Sequence, residues 1–153
     1  MCEQLNIRTA RPEDEAAVRA CAIQAYSQYI EVIGRKPAPM LADFAAQISA
    51  GYVYVSASEQ ETLQGFVVFY PQAKHMFLEN VAVTDAGRGK GIGKSLINFC
   101  ETQAINLGLF SVRLYTNAKM TDNLSIYPRL GYCEVERRSE DGFDRVYFEK
   151  RVG

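Results

Sequence analysis

The sequence predicts an α+β protein, with a mixed and largely antiparallel central sheet of about seven strands between helical layers, an α/β/α arrangement. Two observations carry this. Strand-forming residues cluster in short runs bounded by turns at Tyr52–Ala57, Leu63–Tyr70, His75–Val83, Ser111–Thr116, Tyr132–Arg138 and Phe143–Arg151. Between His75 and Thr116 the order is strand, glycine-rich loop, helix, strand. That order needs a crossover and therefore one parallel pair, whereas strands that meander are antiparallel neighbours.

In chain order, Leu5 and Ile7 alternate within Gln4–Thr9, a short first strand. Arg11-Pro12-Glu13-Asp14-Glu15 reads as a helix start, with proline early and acids in the first turn, and the apolar positions continue it to about Ile30. Gly34, Pro37 and Pro39 break the chain over Glu31–Pro39. Leu41, Phe44, Ala45 and Ile48 then predict a second helix from Met40 to Ala50, stopped at Gly51. After the meander of Tyr52–Val83, a third helix runs from Gly91 to Leu107, with Gly108 as its stop. The chain continues with a loop at Asn117–Met120 and a short helix from Thr121 or Asp122 to Leu130. The final strands are joined at Glu140-Asp141-Gly142.

The bulk properties narrow the function. At 153 residues, 48% apolar and 23% charged, the chain has the length and balance of one globular domain, residues 1–153. A formal charge of −1 argues against a nucleic-acid partner. Cys2, Cys21, Cys100 and Cys133 are scattered, and His75 is the single histidine, so no metal site is expected. Neither an apolar signal core nor a run near the ~20 residues of a membrane span is present, which predicts a cytoplasmic protein with no membrane contact.

The stretch richest in chemistry is Phe77–Ser95. A strand ends at Val83, glycines and basic residues fill Arg88–Gly93, and a helix follows. The first amides of a helix lack partners within it and its dipole is positive there, so such a loop suits a phosphate group, and Arg88, Lys90 and Lys94 add charge. A Walker A loop fails on spacing, because Arg88 stands five residues before Gly93-Lys94-Ser95. The dinucleotide pattern G-x-G-x-x-G fails from Gly87, which ends on Ile92, and from Gly89, which ends on Lys94. The pattern [QR]-x-x-G-x-[GA] is met in full by Arg88-Gly89-Lys90-Gly91-Ile92-Gly93.

That pattern resembles the acyl-CoA site of the GNAT superfamily of N-acyltransferases. A second segment agrees: Asn123-Leu124-Ser125-Ile126-Tyr127 followed by Leu130-Gly131-Tyr132 resembles the family's N-x-x-x-Y…L-G-[FY], one helix and one strand after the loop. The element order β-α-α-β-β-β-α-β-α-β-β extends the likeness over nearly the whole chain. The resemblance implies an N-acetyltransferase that moves an acetyl group from acetyl-CoA to an amine of a small molecule or peptide, directly and in a ternary complex. It implies that the strand before the loop splays from its parallel neighbour, that Val81, Ala82 and Val83 meet the coenzyme through their backbone, and that an amide near Val81 faces the thioester oxygen. Arg88, Gly89, Lys90, Gly91, Ile92, Gly93 and Lys94 would hold the pyrophosphate, with Asn117, Asn123 and Tyr127 completing the coenzyme site. A homodimer is common in the family.

The chemistry asks for a proton acceptor beside the amine and a donor beside the departing sulfur, since aliphatic amines are mostly protonated near neutral pH. Tyr127, one helical turn after Asn123, matches the tyrosine that serves the sulfur; as a plain reading of the residues it would be a core aromatic. Glu79 is the candidate base. Alternation would set Phe77, Glu79, Val81 and Val83 on one face and Leu78, Asn80 and Ala82 on the other. A carboxylate between apolar neighbours is costly unless paired or solvated, so Glu79 either faces a cleft or pairs with a cation on a neighbouring strand. The acceptor side would be built from Glu31–Met40 and Arg138–Arg145, whose mixed charges name no substrate. The alternative function is a non-catalytic acyl-CoA-binding or sensing module.

Overall fold

The computed structural model describes residues 6–153; Cys2, Gln4 and Leu5 lie outside the described residues. The elements are β1 (Asn6–Thr9), α1 (Glu15–Tyr26), α2 (Ile30–Ile33), α3 (Phe44–Ser49), β2 (Val53–Ala57), β3 (Leu63–Gln72), β4 (His75–Val83), α4 (Ile92–Asn106), β5 (Ser111–Asn117), α5 (Thr121–Arg129), β6 (Cys133–Glu140) and β7 (Phe143–Arg151). The seven strands form one sheet in the order β1-β2-β3-β4-β5-β7-β6. Every neighbouring pair is antiparallel except β4 with β5.

Several boundaries differ from the sequence reading, among them the short helix α2 reaching into the expected break at Glu31–Pro39, and three of the differences have a clear local reason. The acids and proline at Pro12–Asp14 form a 3-10 turn, in which Asp14 accepts the Arg11 N–H at 2.7 Å, and α1 starts only at Glu15. Met40 lies in a separate 3-10 turn, Ala38–Leu41; Ala42 is extended, and Asp43 caps the shorter α3 by accepting the Ala46 N–H at 3.1 Å. Pro71 and Gln72 belong to β3, which leaves Ala73-Lys74 as the turn.

Alternation along the central strands sorts the core into two layers. Val67 and Phe69 pack with Leu96, Ile97, Cys100 and Ala104 of α4 and with Tyr127 of α5. Phe66 and Val68 pack on the opposite face with Val18, Cys21 and Ala22 of α1 and Phe44 and Ile48 of α3. Each of the valine, leucine, isoleucine and phenylalanine side chains among them contributes about 1.5–3 kcal/mol when fully buried. The helical layers are therefore held to the sheet by its middle strands.

Two irregularities in the centre position the site. The parallel register of β4 and β5 is confined to His75↔Ser111, Met76↔Val112 and Phe77↔Arg113, although β4 continues to Val83 and β5 to Asn117. Beyond Phe77 the two strands part. Within β4, Asn80 pairs with Val68 but Leu78 pairs with Phe69, so Glu79 is the extra residue of a β-bulge. The bulge corrects the expected faces. Glu79 and Asn80 both turn toward the α1–α3 layer, whereas Val81 and Val83 pack with the α4 layer, on the opposite face from Glu79.

Candidate functional site

The gap between β4 and β5 is a cavity of about 320 Å³. Leu78–Val81 line it from one strand and Leu114–Asn117 from the other, and Asn123 and Tyr127 of α5 and Phe143 and Arg145 of β7 also line it. Tyr26 of α1 and Gln47 of α3 close it from the helical layer. An open, half-apolar crevice between strands is thus the direct product of the short parallel register.

Glu79 faces this cavity and is half-buried. Its Oε1 accepts the Tyr70 hydroxyl at 2.8 Å and its Oε2 accepts the Gln47 side-chain amide. No cation pairs with it among the described residues, so of the two sequence readings the cleft-facing one describes its position. Two neutral donors fix the carboxylate and leave further lone pairs for a ligand proton. Burial, followed by the hydrogen bond to Glu79, pushes the Tyr70 hydroxyl above its ordinary range, which keeps it a donor.

The next residue is tied down from the other side. The Tyr26 hydroxyl lies 2.8 Å from Asn80 Oδ1 and 2.9 Å from the Val81 carbonyl, and donates across that pair. Asn80 Nδ2 donates to the Pro39 carbonyl at 3.3 Å. Burial holds the Tyr26 proton in place. One buried tyrosine therefore joins α1, the bulge and the turn before α3. Neither Tyr26 nor Asn80 was singled out from the sequence, but two polar residues in succession, Glu79-Asn80, inside an apolar strand are the signal that alternation breaks there.

Tyr127 is buried, packs edge-on to Tyr132 at 5.7 Å between ring centroids and tilts against Phe148 at 5.8 Å. It lines the cavity, and among the described residues its hydroxyl has no hydrogen-bond partner. Burial, and next the nearby Cys100 thiol, push the pKa of its hydroxyl above the ordinary range, so it stays protonated. Its position is set by the end of α5. The Gly131 N–H reaches the Pro128 carbonyl at 3.1 Å and the Tyr132 N–H reaches the Tyr127 carbonyl at 3.1 Å, the paired bonds of a Schellman stop. That stop needs a left-handed residue, and Gly131 has φ +96°. Leu130-Gly131-Tyr132 thus locks Tyr127 by backbone and ring contact together. Pro128 sits next to last in α5, where it interrupts only the final turn. Asn123 points its amide to Thr116 Oγ1 at 3.0 Å, and Asn117 accepts the Lys119 N–H at 2.9 Å; both line the cavity.

The glycine-rich loop follows β4 directly. After a 3-10 turn at Asp85–Gly87, Gly89 and Gly91 take φ +77° and +74°, and Gly91 caps α4. Open space surrounds both, so it is the backbone conformation and not crowding that calls for glycine there. Among the described residues nothing accepts the N–H groups of residues 89–94; the first intrahelical bond is Ser95 N–H to Gly91 at 3.0 Å. Arg88, Lys90 and Lys94 are exposed around these amides, with Arg88 3.4 Å from Asp85. The arrangement fits a pyrophosphate. Of the other predicted coenzyme residues, Val81 lines the cavity, Ala82 is buried and Val83 is half-buried.

The two segments predicted for the acceptor side do meet. Arg35 donates to the Asp141 carbonyl at 3.1 Å and stacks over Phe143 at 4.2 Å, while Pro37, Pro39 and Leu41 line the cavity beside Phe143 and Arg145. His75 lies at the far end of β4, paired with Gln72, away from the cavity, and burial lowers its affinity for a proton. Cys100 is buried and its thiol is pushed up by burial; Cys21 is pushed up to about 12 by the same cause. Cys133 is exposed on β6. Among the described residues no cysteine lines the cavity. Among the described residues no cluster of metal-ligating side chains is present, and no helix is long and apolar enough to cross a membrane.

Residues 19–132 match the model of a family described as Acetyltransferase (GNAT) family. Over 88 residues the chain is 31% identical to mycothiol acetyltransferase of Jonesia denitrificans, a match covering 56% of this chain and only 28% of that longer protein. Among solved structures, a PaiA N-acetyltransferase from Thermoplasma acidophilum in complex with coenzyme A superposes with TM-score 0.78 at 19% identity, covering 98% of this chain and 100% of the other. The ribosomal-protein-S18-alanine N-acetyltransferase from Escherichia coli gives TM-score 0.76 at 16% identity, covering 98% and 95%. At these identities the likeness speaks to the fold.

Proposed function

The chain belongs to the GNAT family of acetyltransferases, and on that premise we propose that it is an N-acetyltransferase that transfers an acetyl group from acetyl-CoA to an amine in a ternary complex, residues 1–153 acting as one domain. The observation that carries the reading is the convergence of Glu79 and Tyr127 on one cavity between parted strands, next to a loop of unpartnered amides. Acetyl-CoA supplies the thioester, whose C–S bond breaks as the acceptor nitrogen forms its C–N bond.

The residues divide the work. The N–H groups of residues 89–94 and the charges of Arg88, Lys90 and Lys94 hold the pyrophosphate. The parted edge of β4 holds the thioester arm. The Val81 carbonyl accepts the Tyr26 hydroxyl, and the N–H of the same residue, leaving the strand on the same side, donates to the thioester oxygen. Glu79 takes the proton that the amine must lose, oriented by Tyr70 and Gln47. Tyr127 donates to the departing sulfur. Its buried, high-pKa hydroxyl keeps its proton until negative charge develops there.

Binding without catalysis would need neither Glu79 nor Tyr127. The test is a calorimetric titration with acetyl-CoA together with free-thiol release against a panel of polyamines, amino acids, aminoglycosides and short peptides. Binding plus acceptor-dependent release is expected. Binding with no release on any amine would move the reading to an acyl-CoA sensor, and no binding would undo the role of the Arg88–Gly93 loop.

A further inference from the structure

The cavity is lined by a cation that has no hydrogen-bond partner among the described residues. Arg145, on β7, is 9% exposed and lines the cavity. Its guanidinium lies 4.4 Å from the Tyr115 ring centroid and 5.6 Å from that of Phe143, so two aromatic faces fix its plane. Among the described residues none of its donors makes a hydrogen bond. The nearest carboxylates, Glu140 at 3.9 Å and Asp141 at 3.6 Å, stand beyond hydrogen-bond distance. Glu140 already accepts the Tyr147 hydroxyl, and the Asp141 side chain is 81% exposed on the hairpin turn. These acids offset the charge of Arg145 but leave its planar fork of donors free to meet a ligand in the cavity.

We propose that Arg145 receives a carboxylate of the acceptor, so that the amine acetylated here is of the amino-acid type, carrying an anionic group on the same small molecule. The amine part of this statement rests on the acetyltransferase reading; the carboxylate part rests on Arg145 alone. A planar guanidinium pairs with a carboxylate through two parallel hydrogen bonds, and its aromatic flanks prevent it from swinging away. The same geometry disfavours a polycationic acceptor. Among the described residues Glu79 is the one carboxylate that lines the cavity, enough for a single amine, and Glu140 and Asp141 sit beside the Arg145 cation.

The experiment uses the whole chain saturated with coenzyme A and measures binding of the L-α-amino acids, their carboxamides and spermidine by calorimetry. In parallel, thiol release from acetyl-CoA is followed with the same amines. At least one free amino acid is expected to bind, its carboxamide about 10- to 100-fold more weakly. Arg145→Met should lose that preference, and Arg145→Lys should regain part of it. Acetyl-CoA affinity, measured on both variants, reports that they are folded. Carboxamides or spermidine binding as well as the acids, or a preference that survives Arg145→Met, would overturn the proposal, as would no binding of any free amino acid. Preferential amino-acid binding without thiol release would leave Arg145 in its role and remove the acetyltransferase reading instead.

Discussion

The glycine-rich loop and the cleft beside it are built in opposite ways. The loop is local: residues 89–94 offer backbone amides, left-handed glycines set their direction, and the elements on either side follow without a gap. The cleft is assembled from residues far apart in the chain. Tyr26, Gln47, Glu79, Tyr127 and Arg145 come from five different elements and meet only because β4 parts from β5 and bulges at Glu79. A backbone site of the first kind tolerates most side-chain changes. A site of the second kind depends on each contact that holds the strands apart. Binding should therefore respond to changes in the loop and chemistry to changes in the cleft.

The largest expected effect separates the two regions most sharply. Tyr127→Phe should lower kcat about 1,000-fold with little change in the dissociation constant for acetyl-CoA, read by steady-state kinetics and calorimetry. Equal turnover in the variant would take Tyr127 out of the chemistry. Glu79→Gln should lower kcat about 100-fold and change the shape of the pH–rate profile, read by steady-state kinetics. An unchanged pH–rate profile would leave the cleft without this base. On the loop side, Gly91→Ala forces an alanine into φ +74° at a cost of about 1–2 kcal/mol. It should weaken acetyl-CoA binding about tenfold, and affect kcat at saturation less than affinity. The smallest effect is expected for Tyr26→Phe, which removes the tie from α1 to the bulge. A loss of about 1 kcal/mol should appear in a urea midpoint, and no loss would mean that the bulge stands without its anchor.

The same contrast explains what the sequence disclosed. The loop pattern and the Leu130-Gly131-Tyr132 stop are contiguous, so their physics can be read from neighbours along the chain. β4 and β7 run over the residues that propensity and turn signals marked, and Gly51 and Gly108 each follow the end of a helix by two residues. Strict alternation misplaced Val81 and Val83 because a bulge is a property of the pair of strands, visible only when Phe69 is seen opposite Leu78. Arg145 stood among the mixed charges of Arg138–Arg145 with nothing to set it apart, since only its long-range stacking on Tyr115 and its burial mark it out. Tyr26 and Gln47 carried no pattern at all; each acts on a strand that lies some distance further along the chain.

The central claim is that one ligand occupies both regions at once, pyrophosphate on the loop and thioester between the parted strands. Amide hydrogen exchange with and without acetyl-CoA tests it directly, peptide by peptide. Slowed exchange is expected together in the segment covering residues 78–83 and in the segment covering 89–94, with β6 unaffected. Protection confined to the loop would contradict the account, because the thioester would then lie outside the cleft that holds Glu79 and Tyr127.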